Sequence, residues 1–183
     1  MPDVHFPVLS SERLRLRALC PSDAPDLLAL YADAEVMRHW IHPPWTALAQ
    51  AQAAIDESQR DLESGRALHL AIEARPDGYL AGSCALYDIA SEHRRATLGY
   101  LLATPCWGQG MAREALQLLL EHGIGTLGLE RIEAEVTPHN FASQSLLARL
   151  GFRREGRLHA RWRVGGATRD VGLWALLRRD WAA

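Results

Sequence analysis

The run Gly99-Tyr100-Leu101-Leu102-Ala103-Thr104-Pro105-Cys106-Trp107-Gly108-Gln109-Gly110-Met111-Ala112-Arg113-Glu114-Ala115 decides how this chain folds. An apolar strand meets a proline, then a Gly-x-Gly turn, then a segment rich in Ala and Leu. The glycines permit a tight backbone turn and leave its N–H groups uncovered by side chains. The helix that follows aims unpaired N–H groups and the positive end of its dipole back at that turn. Such a turn suits a phosphate or pyrophosphate, so the chain is expected to bind a phosphorylated ligand. A lone Gly-x-Gly also serves as a plain structural turn. Gly110 is followed by Met111-Ala112, whereas a nucleoside-triphosphate loop needs Lys-Ser/Thr there. Two glycines past mid-chain do not make the dinucleotide fingerprint either.

Outward from the turn, the periodicity predicts further elements. Leu14, Leu16 and Ala18 alternate with Arg13, Arg15 and Arg17 in a half-buried first strand. Pro21-Ser22-Asp23 opens a helix carrying Leu27, Leu28, Leu30 and Tyr31, with Ser22 or Asp23 as its cap. Met37 to Trp45 reads as irregular and aromatic, and Thr46 as the cap of a helix that Gly65 ends near Ser64. Strands are expected at Leu68 to Ala74, Tyr79 to Ile89 and Thr97 to Ala103, the first two joined by the Pro76-Asp77-Gly78 turn. A helix from about Gly110 to Gly123 buries Ala112, Ala115, Leu116, Leu119 and Leu120. Gly125 to Gly128 is a connector; Arg131 to Val136 is a strand with Glu133 and Glu135 on one face. Asn140 to Leu150 is a short helix, and Phe152 to Leu158 and Arg169 to Leu177 are the last strands, turning at Gly165-Gly166. A mixed sheet with helices on its faces follows, in one α/β or α+β domain spanning residues 1–183.

Composition narrows the partners. With 183 residues and 48% hydrophobic content the chain can bury a full core. Its net charge of −2 gives no global field toward nucleic acid or an anionic membrane, and no apolar run approaches a bilayer span. Met1 to Phe6 lack the basic-then-apolar order of a secretory leader. Cys20, Cys84 and Cys106 are odd in number and far apart, which argues against a disulfide framework or a zinc site and fits a cytoplasmic location.

A second motif, Asn140-Phe141-Ala142-Ser143-Gln144-Ser145-Leu146-Leu147-Ala148-Arg149-Leu150-Gly151-Phe152, follows the Ile132–Val136 strand. Together with Ser11-Glu12-Arg13-Leu14-Arg15-Leu16-Arg17, Trp107-Gly108-Gln109-Gly110 and the Asp170–Leu176 strand, it makes the chain resemble the GCN5-related N-acetyltransferase (GNAT) superfamily over nearly its whole length. The resemblance is closest to the ribosomal-protein-alanine acetyltransferase branch. It implies a twisted, centrally splayed sheet of six to seven strands with helices on both faces. It implies acetyl-CoA as cofactor, and an amine acceptor attacked directly in a ternary complex: a protein N-terminus or an amine-bearing small molecule. A homodimer is frequent in such families. Tyr100, Leu101 and Leu102 would meet the pantetheine arm through backbone groups. Trp107, Gly108, Gln109, Gly110, Met111, Ala112 and Arg113 would hold the pyrophosphate, and Asn140 the cofactor arm or the loop behind it. Trp107 stands where the superfamily often has Gln or Arg, although Trp is common in this branch.

Acetyl transfer requires a neutral amine held near the thioester carbonyl, a donor for the developing oxyanion and a base. Glu135 is the expected base, and Glu133 shares its face. Both also read as ordinary strand glutamates. Leu147 replaces the acidic tyrosine of the wider family, which leaves Ser143 as the nominated hydroxyl; Ser143 equally suits a helix-end backbone role. Trp162 stands where the branch often carries a late-hairpin glutamate. His39, Trp40 and Trp45, with Met37 and His42, are candidate walls of the acceptor entrance, or a loop packed over the sheet. His39-x-x-His42 lacks a third metal ligand. Arg149, Arg153, Arg154, Arg157, Arg161 and Arg163 form a basic stretch, read first as a solvated face and second as a contact for the CoA 3′-phosphate or an acidic partner. The alternatives to an acetyltransferase are an acyl-CoA-binding sensor with little catalysis and a plain nucleotide-binding module.

Overall fold

The computed structural model describes residues 8–181; the reading of residues 1–6 lies outside them. Eight strands form one sheet in the order β1-β2-β3-β4-β5-β6-β8-β7. They are β1 (Leu9–Ser10), β2 (Leu14–Ala18), β3 (Leu68–Ala74), β4 (Leu80–Ala90), β5 (Arg95–Leu102), β6 (Arg131–Val136), β7 (Arg153–Val164) and β8 (Ala167–Leu177). The helices are α1 (Ala24–Ala32), α2 (Ala34–Met37), α3 (Leu48–Ser64), α4 (Met111–Glu121) and α5 (Phe141–Arg149). The count exceeds the expected six to seven because Leu9–Ser10 adds an edge pair to β2.

Alternation along the strands splits the core in two. Leu70 and Ile72 of β3 and Leu98 and Leu102 of β5 meet α4 residues Met111, Ala115, Leu116, Leu119 and Leu120 on one face. Ala71 of β3 and Leu101 of β5 meet Leu27 and Leu30 of α1 and Ala51 and Ile55 of α3 on the other. The helices therefore cover both faces, as the resemblance implied.

The centre of the sheet comes apart. The β5–β6 pair is the parallel one, and it pairs Arg95 with Arg131, Ala96 with Ile132 and Thr97 with Glu133, then stops. β6 continues along β8 to Val136, opposite Gly172. β5 continues along β4 to Leu102, opposite Gly82. Each diverging strand thus keeps a partner on its outer side and presents a bare edge to the gap. Arg95 and Arg131 both bond Glu133 at the closed end, at 3.0 and 2.7 Å.

Several local expectations change. Asp23 does not cap α1 through its side chain. Its carboxylate instead accepts from the Cys20 amide at 2.8 Å and from both terminal nitrogens of Arg17. Arg17 also bonds Glu73 of β3, so one guanidinium serves two buried carboxylates. Burial alone would raise the pKa of Asp23; the Arg17 and Cys20 hydrogen bonds outweigh it and hold the carboxyl below its usual range. Thr46 is not the cap of α3. Ala47 holds that position, and the Gln50 side chain reaches back to accept from the Thr46 and Ala47 amides. Residues 38–45 are irregular as expected; Met37 instead ends the four-residue helix α2, which Asp33 caps by accepting from the Glu35 amide. The segment from His122 to Thr126 continues α4 as a π-helical turn. β7 runs on to Val164, beyond the expected Leu158.

Candidate active site

The first wall of the gap is the end of β5 and the turn that follows. The Ala103 amide bonds the Ala81 carbonyl at 2.9 Å. Backbone direction alternates along an antiparallel strand, so Leu101 and Gly99 also turn their backbone groups to β4. Tyr100 and Leu102 turn theirs to the gap, beyond the last β5–β6 pair. Leu101 was expected to offer backbone groups to a ligand; they are committed to the sheet, and its side chain belongs to the α1–α3 core. The Leu102 carbonyl is taken as well, because it accepts from the Trp107 indole at 2.7 Å. The Tyr100 N–H and C=O and the Leu102 N–H remain.

The turn itself is built for open backbone. Gly108 and Gly110 lie at φ 72° and 77°, in the left-handed region where a side chain is strained. Gly110 is the N-cap of α4 with no side-chain cap, so the first amides of that helix have no intrahelical partner. Side chains brace the turn from outside. Gln109 Nε2 donates to the Pro105 carbonyl at 2.7 Å, and Arg13 donates to the Gln109 carbonyl at 3.2 Å. Arg13 also pairs with Glu114 in the first turn of α4, and Ser11 bonds the same carboxylate. Burial would raise the pKa of Glu114, but the bonds from Ser11 and Arg13 hold it low. This clamp escaped the sequence reading, since 101 residues separate Arg13 from Glu114.

On the α5 side, Asn140 caps its helix, accepting from the Ser143 amide at 3.1 Å. Its carbonyl oxygen therefore supports the loop rather than pointing freely at a ligand. The Tyr100 hydroxyl is buried and completes no hydrogen bond. Burial pushes it up to about 12, and the approaching Ser143 hydroxyl opposes that rise without closing a bond. An unsatisfied buried hydroxyl beside a bare strand edge is the arrangement a polar ligand arm would complete.

The opposite wall is made of side chains. Glu135 and Thr137 continue the face of Glu133 along the β6 arm. Glu135 accepts from Trp162 Nε1 at 2.8 Å and from Arg161 at 3.0 and 3.3 Å. Trp162 thus engages the carboxylate across the β7–β8 hairpin. Trp40 crosses to the other arm: a Cβ placed on Gly99 would lie 3.5 Å from Trp40 Cη2 and 3.2 Å from Tyr87 Cε1. His39 reaches the β6 arm, its Nδ1 3.2 Å from the Thr137 hydroxyl. Trp45 stacks on Tyr31, 4.2 Å between ring centroids, and so braces the loop. Arg169 of β8 donates to the Arg38 carbonyl and joins the hairpin to this loop. Of the basic stretch, Arg157 pairs with Asp170 and Arg161 with Glu135; Arg149, Arg153, Arg154 and Arg163 are exposed.

Comparison with known proteins gives a consistent picture. Residues 13–153 match the family described as the acetyltransferase (GNAT) domain. The chain is 36% identical to the uncharacterized N-acetyltransferase p20 of Bacillus licheniformis, over 95% of this chain and 98% of that one. It is 29% identical to the ribosomal protein uS5-alanine N-acetyltransferase of Escherichia coli K12, covering 94% and 92%. Identity to the spermidine N(1)-acetyltransferase of the same organism is 26%, covering 95% and 91%. The solved structure of Mycobacterium smegmatis RimJ in complex with CoA-disulfide superposes with a TM-score of 0.82 at 28% identity, covering 90% of this chain and 81% of that one.

Proposed function

This chain belongs to the acetyltransferase (GNAT) family, and from that premise we propose that it moves the acetyl group of acetyl-CoA to a primary amine by direct attack in a ternary complex. The observation that carries the reading is the parting of β5 and β6 after Thr97 and Glu133, directly ahead of the glycine turn. When bound, acetyl-CoA supplies an acyl group already activated as a thioester. The chain's own part is to hold and orient. Amides from Gly108 to Arg113 would grip the diphosphate at the positive end of α4, while the Trp107 amide closes the turn on the Thr104 carbonyl. The gap-facing backbone of Tyr100 and Leu102 would pair with the pantetheine arm, with Asn140 fixing the loop beside it. The Leu102 N–H is the proposed oxyanion donor. Ser143 would hold a proton at its hydroxyl next to Tyr100.

Across the gap, His39 and Trp40 would wall the acceptor, and Glu135 would draw its ammonium group. The acceptor is an amine-bearing small molecule or a protein N-terminus. Relatives named for spermidine and for a ribosomal-protein alanine support an amine in either setting. The chain acts as one domain, and its three free cysteines suit the reducing cytoplasm. Among the described residues no helix is long and apolar enough to cross a membrane.

Calorimetric titration with acetyl-CoA tests the grip, and a saturable heat is expected. Thiol release measured against spermidine, other polyamines and alanine-terminated peptides then tests transfer. Tight binding without release on every amine would turn the reading to an acyl-CoA sensor; stabilisation by ATP or NAD and not by CoA would turn it to a nucleotide-binding module.

A further inference from the structure

Acetyl transfer to an amine needs a base that is unprotonated near pH 7 and has a lone pair to spare. Resting on the reading above, we propose that His39 accepts the acceptor's proton at Nε2 and that Thr137 is the positioning residue that orients its ring. Three observations converge on this. The loop after α2 spans the open end of the gap, with Trp40 on Gly99 of β5 and His39 on Thr137 just beyond β6. Thr137 is a firm anchor. It is buried; its carbonyl accepts from the Asn140 amide at 3.0 Å and from Gln144 Nε2 at 3.3 Å. In the tautomer the proposal requires, Nδ1–H donates to the Thr137 hydroxyl, which leaves the lone pair on Nε2. The Glu135 carboxylate, by contrast, is held by Arg161 and Trp162.

The surroundings keep His39 neutral. Partial burial lowers its pKa first, then Arg38 on its own loop, Arg169 on β8 and His139 after β6, while Glu35 of α2 acts the other way. Glu35 is itself paired with Arg38, and Glu135 of β6 with Arg161 of β7. In the proposed step the acceptor arrives as R–NH3+ and gives one proton to His39. The freed nitrogen forms the C–N bond as the thioester C–S bond breaks. The second proton leaves with the thiol, and His39 returns its own to water.

The test uses the full chain and the amine that gives the fastest thiol release. In the wild type, kcat/KM should fall tenfold per pH unit on the acid side, with a midpoint below pH 6.5. An NMR titration of the His39 imidazole in the free protein should give the same midpoint. H39A and H39N should lower kcat/KM by about 10²–10⁴-fold, leave acetyl-CoA affinity within about threefold, and lose the acid limb. Imidazole should restore H39A, T137V should move the midpoint, and E135Q should retain the limb. An active wild type beside an H39A of equal rate and equal pH profile would overturn the role of His39 alone, as would an E135Q that erases the limb. A wild type that releases no thiol with any amine would overturn acetyl transfer itself, and this proposal with it.

Discussion

On the α4 side of the gap the proposed ligand-facing groups are backbone groups drawn from the single run Tyr100 to Arg113. On the α1 side they are side chains drawn from four stretches: the loop after α2, β6 with Thr137, and the two strands of the last hairpin. A backbone site tolerates change in side chains but not in φ or charge. A side-chain site works the other way, and its parts can be altered singly. The difference suits a fold that keeps one donor and varies its acceptors.

The strongest way to break the first side is Gly110→Asp. Asp tolerates the left-handed region better than most residues and is a good N-cap, so the fold should survive. Its carboxylate would lie where a diphosphate is expected. Acetyl-CoA affinity should drop at least about 100-fold, roughly 3 kcal/mol, read by calorimetry; an unchanged Kd would remove the turn from the site. The matching attack on the second side is Gly99→Val. A Cβ there would already crowd Tyr87 at 3.2 Å, and the branched side chain would push Trp40, and with it His39, off the gap. We expect acceptor kcat/KM to fall about 10- to 100-fold, as misplacement of about 1 Å commonly does, with acetyl-CoA affinity within about threefold.

The same contrast explains what could be read from the sequence. The glycine turn and α4 are local, so spacing alone revealed them. Even there, Leu101 was assigned gap-facing backbone, because only the register with β4 tells which residues face out. Glu135 was found as a carboxylate on the right face, but nothing near it in sequence announces Arg161 or Trp162 as its partners. His39 was identified only as a wall; its anchor, Thr137, is 98 residues away. Asp23 holds the N-cap position of α1 as one of the two expected residues, but tertiary contacts recruit its carboxylate to Arg17; the cap of α3 was misassigned to Thr46, because Ala47 holds it and Gln50 reaches back. A Gln at N3 was the legible signal for that second case.

A finer probe of the side-chain wall is Trp162→Phe. It keeps the ring and removes the indole N–H that Glu135 accepts at 2.8 Å. Arg161 remains as a partner, so the carboxylate keeps its charged neighbour but is less fixed. Acceptor KM should rise about three- to tenfold with kcat little changed, an effect on the scale of one hydrogen bond to a charged group. Equal losses in kcat and kcat/KM would instead assign the indole to the reaction's transition state.

The smallest expected effect is on the backbone side, where Glu114→Gln loosens the clamp without touching the turn. Gln keeps an acceptor for Ser11 and Arg13 but gives up the charge. Arg13 is half exposed, so the pair contributes about 1 kcal/mol at most, and acetyl-CoA Kd should rise no more than about fivefold. The pH dependence separates this from general damage. The folded pKa of Glu114 is depressed, so its contribution is fully present above the unfolded value and is lost as pH falls through the lowered one. The two proteins should differ by a constant ratio from pH 5 to 8 and converge in stronger acid. A ratio that changes across pH 5–8 would mean that another group, and not this carboxylate, sets the geometry of the turn.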